Sequence, residues 1–323
     1  MANADKTDKR KTRAARRAAE EAAAKARAEQ AAKERKQQTI IGAIVVVVVI
    51  ALVAVAGFAI WRSHNSSTAS DSLTVDEAYS QLQAVKTKPS TADEKGGILL
   101  SKDGVNEKID DVPTVAVYMD FMCSGCGNFE RTAGETITKL VEAGQINLEL
   151  HPMSFGDRWS SDEYSTRAAN MLLSITEQDK DASHILGFIT NMYAKSFQPE
   201  ENSGKKTSDE QMKQQAVKAG VSQQVADAAV TDKYTDWLDA INTYTPKRTE
   251  LLNVSGQLKG SMTTPTVTIN GNFWDMNQLS TADLTADEGL VEALGLKDDQ
   301  VGVEGQLPSI GADGKPVSLT TGE

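Results

Sequence analysis

Apolar residues fall along this chain in three patterns. From Thr39 to Trp61 no charge occurs, and Ile40, Ile41, Val45 to Val49, Ile50 and Leu52 to Phe58 form a continuous run. At about 1.5 Å per residue such a run crosses the ~30 Å hydrocarbon core of a bilayer, so residues 39–61 predict a single transmembrane helix. Val112 to Met119 is a β-branched run of strand length, and Ile146 to Leu150 alternates apolar and polar positions as a second strand does. Between them, Asn128 to Ala143 has helical spacing, with Phe129, Ile137, Leu140 and Val141 inward and Gly144 as the stop. Strand, helix, strand predicts a βαβ unit with parallel strands.

Beyond Phe155 the period turns helical for almost the whole stretch to Gly256. Helices are expected over Ser161–Glu177, Asp181–Phe197, Ser208–Ala219, Ser222–Asp232 and Asp236–Leu252. Strand character returns at Thr266–Ile269, followed by an Asn270-Gly271 turn and a short Phe273-Trp274 partner. A last helix covers Asp287 to Leu294. The fold class is α/β, a small sheet interrupted by an α-helical insertion at about 157–256 and preceded by one transmembrane helix.

Charge orients the chain. Residues 1–38 carry 12 Lys or Arg against 6 Asp or Glu, although the whole chain has a net charge of −11. Positive charge next to a span stays inside, so the amino terminus is expected to be cytoplasmic and the rest extracytoplasmic. A cleaved signal peptide is the competing reading; the run is long for one. The basic segment also suits the lipid bilayer as a partner, and the acidic exterior does not suit nucleic acid. The expected organisation is a basic segment 1–38, a span 39–61, a Ser- and Thr-rich stalk 62–95, a folded body 96–296 and a poorly ordered tail 297–323. Within the stalk, Thr74 and Glu77 form a capping-box pattern that opens a short helix to Val85.

The only two cysteines, Cys123 and Cys126, enclose Ser124 and Gly125. With no third cysteine there is no disulfide framework, which leaves redox work between the two or a metal. At the first turn of a helix, free N–H groups and the helix dipole favour a thiolate on Cys123, while Cys126 lies further in and can resolve a mixed disulfide. An exposed first sulfur beside a buried second is expected. A metal carrier for copper or zinc is an alternative, but His64, His151 and His184 show no ligand spacing, so no metal site and no cofactor is assigned. A static disulfide is a third reading, though so short a loop constrains the unfolded chain little.

The run Val117-Tyr118-Met119-Asp120-Phe121-Met122-Cys123-Ser124-Gly125-Cys126-Gly127-Asn128-Phe129-Glu130 resembles the active-site segment of DsbA-like proteins with the thioredoxin fold. Met262-Thr263-Thr264-Pro265-Thr266-Val267 resembles the cis-proline loop of that family. The resemblance implies that Cys123 and Cys126 are catalytic, that Pro265 is cis and packs against them, and that the Thr264 backbone binds an extended client. It further implies an extracytoplasmic thiol:disulfide oxidoreductase that introduces disulfides into thiol-containing secreted proteins and is reoxidised by a DsbB-like or VKOR-like membrane partner. A reductase or isomerase of the same fold is the alternative, because Ser124-Gly125 departs from the bulkier pair usual in these relatives. The position where thioredoxin-like proteins often bury a carboxylate is Val117, which leaves Asp120, the closer in sequence, Glu149 or a water as candidate proton acceptors.

Overall fold

The computed structural model describes residues 73–319. The basic segment, the expected span 39–61, the first part of the stalk and His64 lie outside the described residues, and among the described ones no helix is long and apolar enough to cross a membrane.

Six strands form one sheet. They are β1 (Ile98–Ser101), β2 (Gly104–Val105), β3 (Thr114–Asp120), β4 (Asn147–Met153), β5 (Thr266–Ile269) and β6 (Asn272–Phe273), in the spatial order β2-β1-β4-β3-β5-β6. The central pair, β3 and β4, is parallel and in register from Thr114 opposite Asn147 to Asp120 opposite Met153. A parallel pair needs a crossover, and helix α2 (Ser124–Glu142) supplies it. On either side, β1 joins β4 and β5 joins β3 antiparallel.

Alternation along β3 sends Val115, Val117 and Met119 into the main core, and Ala116 and Tyr118 to the opposite face against Leu251. Phe129, Ile137, Leu140 and Val141 of α2 are all buried in that main core. At the end of α2, Gly144 at φ +65° lets its own N–H bond the Val141 carbonyl and that of Gln145 bond Leu140. This is a Schellman closure, and a left-handed residue there favours glycine.

The insertion holds α3 (Tyr164–Gln178), α4 (Ala182–Met192), α5 (Asp209–Lys218), α6 (Gln223–Ala228) and α7 (Thr235–Tyr244). Helix α7 ends well short of the expected Leu252, because Pro246 has no N–H for an α-helical bond and the chain tightens into a 3-10 turn over Thr245–Lys247. Helix α4 likewise stops at Met192 rather than Phe197.

Both edges of the body lie further out than the sequence suggests. Helix α1 (Val75–Ala84), closed by the Thr74–Glu77 capping box, buries Ala78 and Leu82, and Tyr79 lies 5.3 Å from Tyr244 of α7. Ser90 N–H donates to Glu177 at 2.7 Å. Residues 75–95 therefore belong to the folded body, not to a stalk. The tail is corrected in the same sense: buried Gln145 donates to the carbonyls of Gln300 and Gln306 and accepts from Gly302 N–H, while Asn270 donates to Gly311 and Gly314. A Gly- and Asp-rich segment reads as loose, but here buried amide side chains satisfy its backbone.

Candidate active site

Strand β3 ends at Asp120, and the three residues Phe121, Met122 and Cys123 turn the chain into α2. Phe121 is 1% exposed and stacks on Tyr193 with ring centroids 5.3 Å apart. Cys123 is the N-cap of α2, and its sulfur accepts from Cys126 N–H at 3.5 Å. A hydrogen bond from the Cys126 thiol, working against burial, lowers the Cys123 thiol below its ordinary value, with the Thr264 side chain adding in the same direction. Burial and the neighbouring Cys123 sulfur push Cys126 well up. Both are free thiols. The asymmetry suits one attacking sulfur and one resolving sulfur.

Cys123 is less open than the sequence reading expects, at 6% exposed against 2% for Cys126. The loop before β5 covers it. The Thr264–Pro265 peptide bond is cis, and the Cys123 thiol donates to the Thr264 carbonyl at 3.2 Å. Gly125 fits beneath this loop: a Cβ there would stand 3.2 Å from Pro265 Cδ and 3.5 Å from Cys123 Sγ. Thr264, Pro265, Ser124, Gly125 and the two cysteines are thus gathered at the C-terminal end of β3.

The two candidate proton acceptors part company. Asp120 is fully buried, and its own N–H points to Cys126 Sγ at 3.4 Å. Its carboxyl accepts from Met122 N–H at 2.8 Å, Gly156 N–H at 2.7 Å and Ser165 Oγ at 2.6 Å. Burial outweighs these three bonds and raises the carboxyl to about 6. Glu149 lies opposite Ala116, four residues back along β3 and so roughly 13 Å down the strand. Its carboxylate accepts from His151 at 2.5 Å, and the His151 ring stacks on Tyr118 at 4.0 Å. Burial works to raise Glu149, but His151, Arg248 and Lys95 outweigh it and hold it below its usual value. Glu149 thus belongs to a polar cluster on the sheet face, away from the sulfurs. His184 pairs with Asp179 at 2.9 Å, and among the described residues no group of three or more His, Cys, Asp or Glu could hold a metal ion.

Four residues at the site carry no sequence signal, because three come from the insertion and Gly156 from the turn just before it. Ser165 and Gly156 hold Asp120. Gln198 donates through Nε2 to the carbonyls of both Phe121 and Cys123, each at 3.0 Å. Glu201 accepts from Ser124 N–H at 2.8 Å.

A dithiol at the start of a crossover helix, faced by a cis-proline loop on the next strand, defines a thioredoxin-type site. The chain belongs to the thioredoxin family, whose model matches residues 111–286, more than half of its length. Among solved structures it is similar to reduced DsbA from Mycobacterium tuberculosis, at 23% identity and a TM-score of 0.46, covering 56% of this chain and 85% of that one. It is also similar to MdbA, a thiol-disulfide oxidoreductase from Actinomyces oris, at 19% identity and a TM-score of 0.45, covering 62% and 89%. A curated relative is the serine/threonine-protein kinase PknE of Mycobacterium tuberculosis, 28% identical over 100 residues, or 31% of this chain; the match spans 18% of that kinase's length.

Proposed function

We propose that the protein is a thiol:disulfide oxidoreductase that oxidises client thiols outside the membrane. The observation that carries this is the asymmetric pair: Cys123 caps α2 with its thiol lowered, and Cys126 behind it is raised by burial. In the oxidised protein a client thiolate attacks Cys123 Sγ, the Cys123–Cys126 bond breaks, and Cys126 leaves with the electron pair. Asp120, whose charge acts on that sulfur and whose buried carboxyl is raised to about 6, is the candidate to hold a proton for it. A second client thiolate then attacks the client sulfur of the mixed disulfide and expels Cys123. Two electrons pass from client to enzyme, and the client keeps the disulfide.

The charge-free run 39–61 and its basic flank support an anchored protein with the dithiol domain extracytoplasmic. In that compartment a DsbB-like or VKOR-like membrane partner returns the dithiol to its disulfide. Secreted proteins with free thiols are the clients. Reduction or isomerisation by the same site is the competing direction, and the reduction potential separates them. Equilibration against glutathione buffers is expected to give about −120 to −180 mV; a value near about −270 mV would make the protein a reductant and overturn the oxidase reading. A Cys126→Ala variant should accumulate client mixed disulfides at Cys123.

A further inference from the structure

We propose that Glu201 is a positioning residue that restrains Cys123: its carboxylate, carried in by the insertion, takes the first amide of α2 and makes the thiolate less stable than the bare helix end would. The proposal rests on the reading of Cys123 as the attacking sulfur. Cys123 and Glu201 accept from the same helix turn, the sulfur from Cys126 N–H at 3.5 Å and the carboxylate from Ser124 N–H at 2.8 Å. The first-turn amides are the unsatisfied ones, and the dipole they express is shared. A second anion there takes up part of the same dipole and repels a thiolate.

Glu201 is not a loose surface side chain. Its neighbour Asn202 stands in the left-handed region at φ 59°, with its N–H on the Trp159 carbonyl at 2.9 Å. Three residues earlier, Gln198 ties the same loop to the turn that carries Cys123. The other titratable groups that act on this sulfur are Cys126 from α2, Asp120 from the end of β3, and Arg158 and Tyr193 from the insertion. Arg158 lies over the Trp159 ring at 4.1 Å and acts on Asp120 first and then on Glu201 and Cys123, so Glu201 and the sulfur share a cation that also serves Asp120.

The test uses the full-length chain and two readings, the ultraviolet titration of the Cys123 thiolate and the equilibrium with glutathione. Glu201→Gln is expected to lower the thiolate midpoint by about one unit, roughly tenfold more thiolate below it. A more stable thiolate favours the reduced state, so the glutathione equilibrium shifts about tenfold, which is about 30 mV toward a stronger oxidant. Glu201→Ser, also neutral, gives the same direction and stands in should the Gln variant not fold. Glu200→Gln, on the exposed neighbour, leaves both readings unchanged. An unmoved midpoint in a folded Glu201 variant, or an equal shift in Glu200→Gln, overturns the proposal. If glutathione never oxidises the unaltered protein, the exchange reading fails, and the thiolate titration still decides the role of Glu201.

Discussion

The backbone of Asp120 faces the sulfur of Cys126 across 3.4 Å, while the carboxyl of the same residue turns to Ser165 at 2.6 Å. One residue therefore holds the resolving thiol with its amide and anchors the insertion with its side chain. The carboxyl has a raised midpoint of about 6 against 3.8 unfolded, so its neutral form is the one the fold favours. That contribution is complete below the unfolded value and is lost as pH rises through about 6. Between about pH 4.5 and pH 7.5 it falls by roughly 2 kcal/mol. Asp120→Asn should remove this component, and urea titrations of both proteins at the two pH values should show the pH-dependent gap between them.

The largest influence lowering the Cys123 thiol is the hydrogen bond from Cys126. Cys126→Ala should therefore move the pH midpoint for alkylation of Cys123 upward and slow the reaction at neutral pH. Iodoacetamide kinetics followed by mass read this directly. An unchanged midpoint would mean that the helix end alone sets the thiolate.

Gly125 has room for little more than hydrogen, with Pro265 Cδ at 3.2 Å from its would-be Cβ. Alanine should be accommodated by a small shift of the loop. Valine overpacks the contact and should cost about 1 to 3 kcal/mol while displacing Thr264 from Cys123. Thermal unfolding and the rate of mixed-disulfide formation should fall together in Gly125→Val.

Gln145 makes three hydrogen bonds to the segment after α8 (Ala286–Ala293) and is itself fully buried. At about 1 kcal/mol each, Gln145→Ala should cost on the order of 3 kcal/mol and free residues 297–319. Limited proteolysis should then clip that segment much faster than in the unaltered protein.

The sheet's central strands, the crossover helix and the dithiol were legible because each depends on local pattern. Val115, Val117 and Met119 alternate, Phe129 to Val141 repeat at helical spacing, and Gly144 stops the helix. The limits of the body were not legible, because Ala78 and Leu82 are the only buried positions of a short, mostly polar helix and declare themselves only against α7. In sequence, Asp120 is set apart from Glu149 only by lying nearer the cysteines. Their difference is one of register, since the parallel pairing sets Glu149 opposite Ala116, far below the end of β3. Ser165, Gln198 and Glu201 reach the site only through tertiary packing, and no spacing to the cysteines marks them.

Gln198 spans the carbonyls on both sides of Met122, so the loop of the insertion is fastened to the turn that presents Cys123. The consequence is a division of heritable variation. Substitutions within the Cys123 to Cys126 tetrapeptide alter reactivity at once and in large steps. Substitutions that shift the 198–201 loop reach the same sulfur from some 75 residues away and in small steps. A lineage can thus retune its redox poise while its four-residue motif stays unchanged, and an engineer can do the same by exchanging that loop alone.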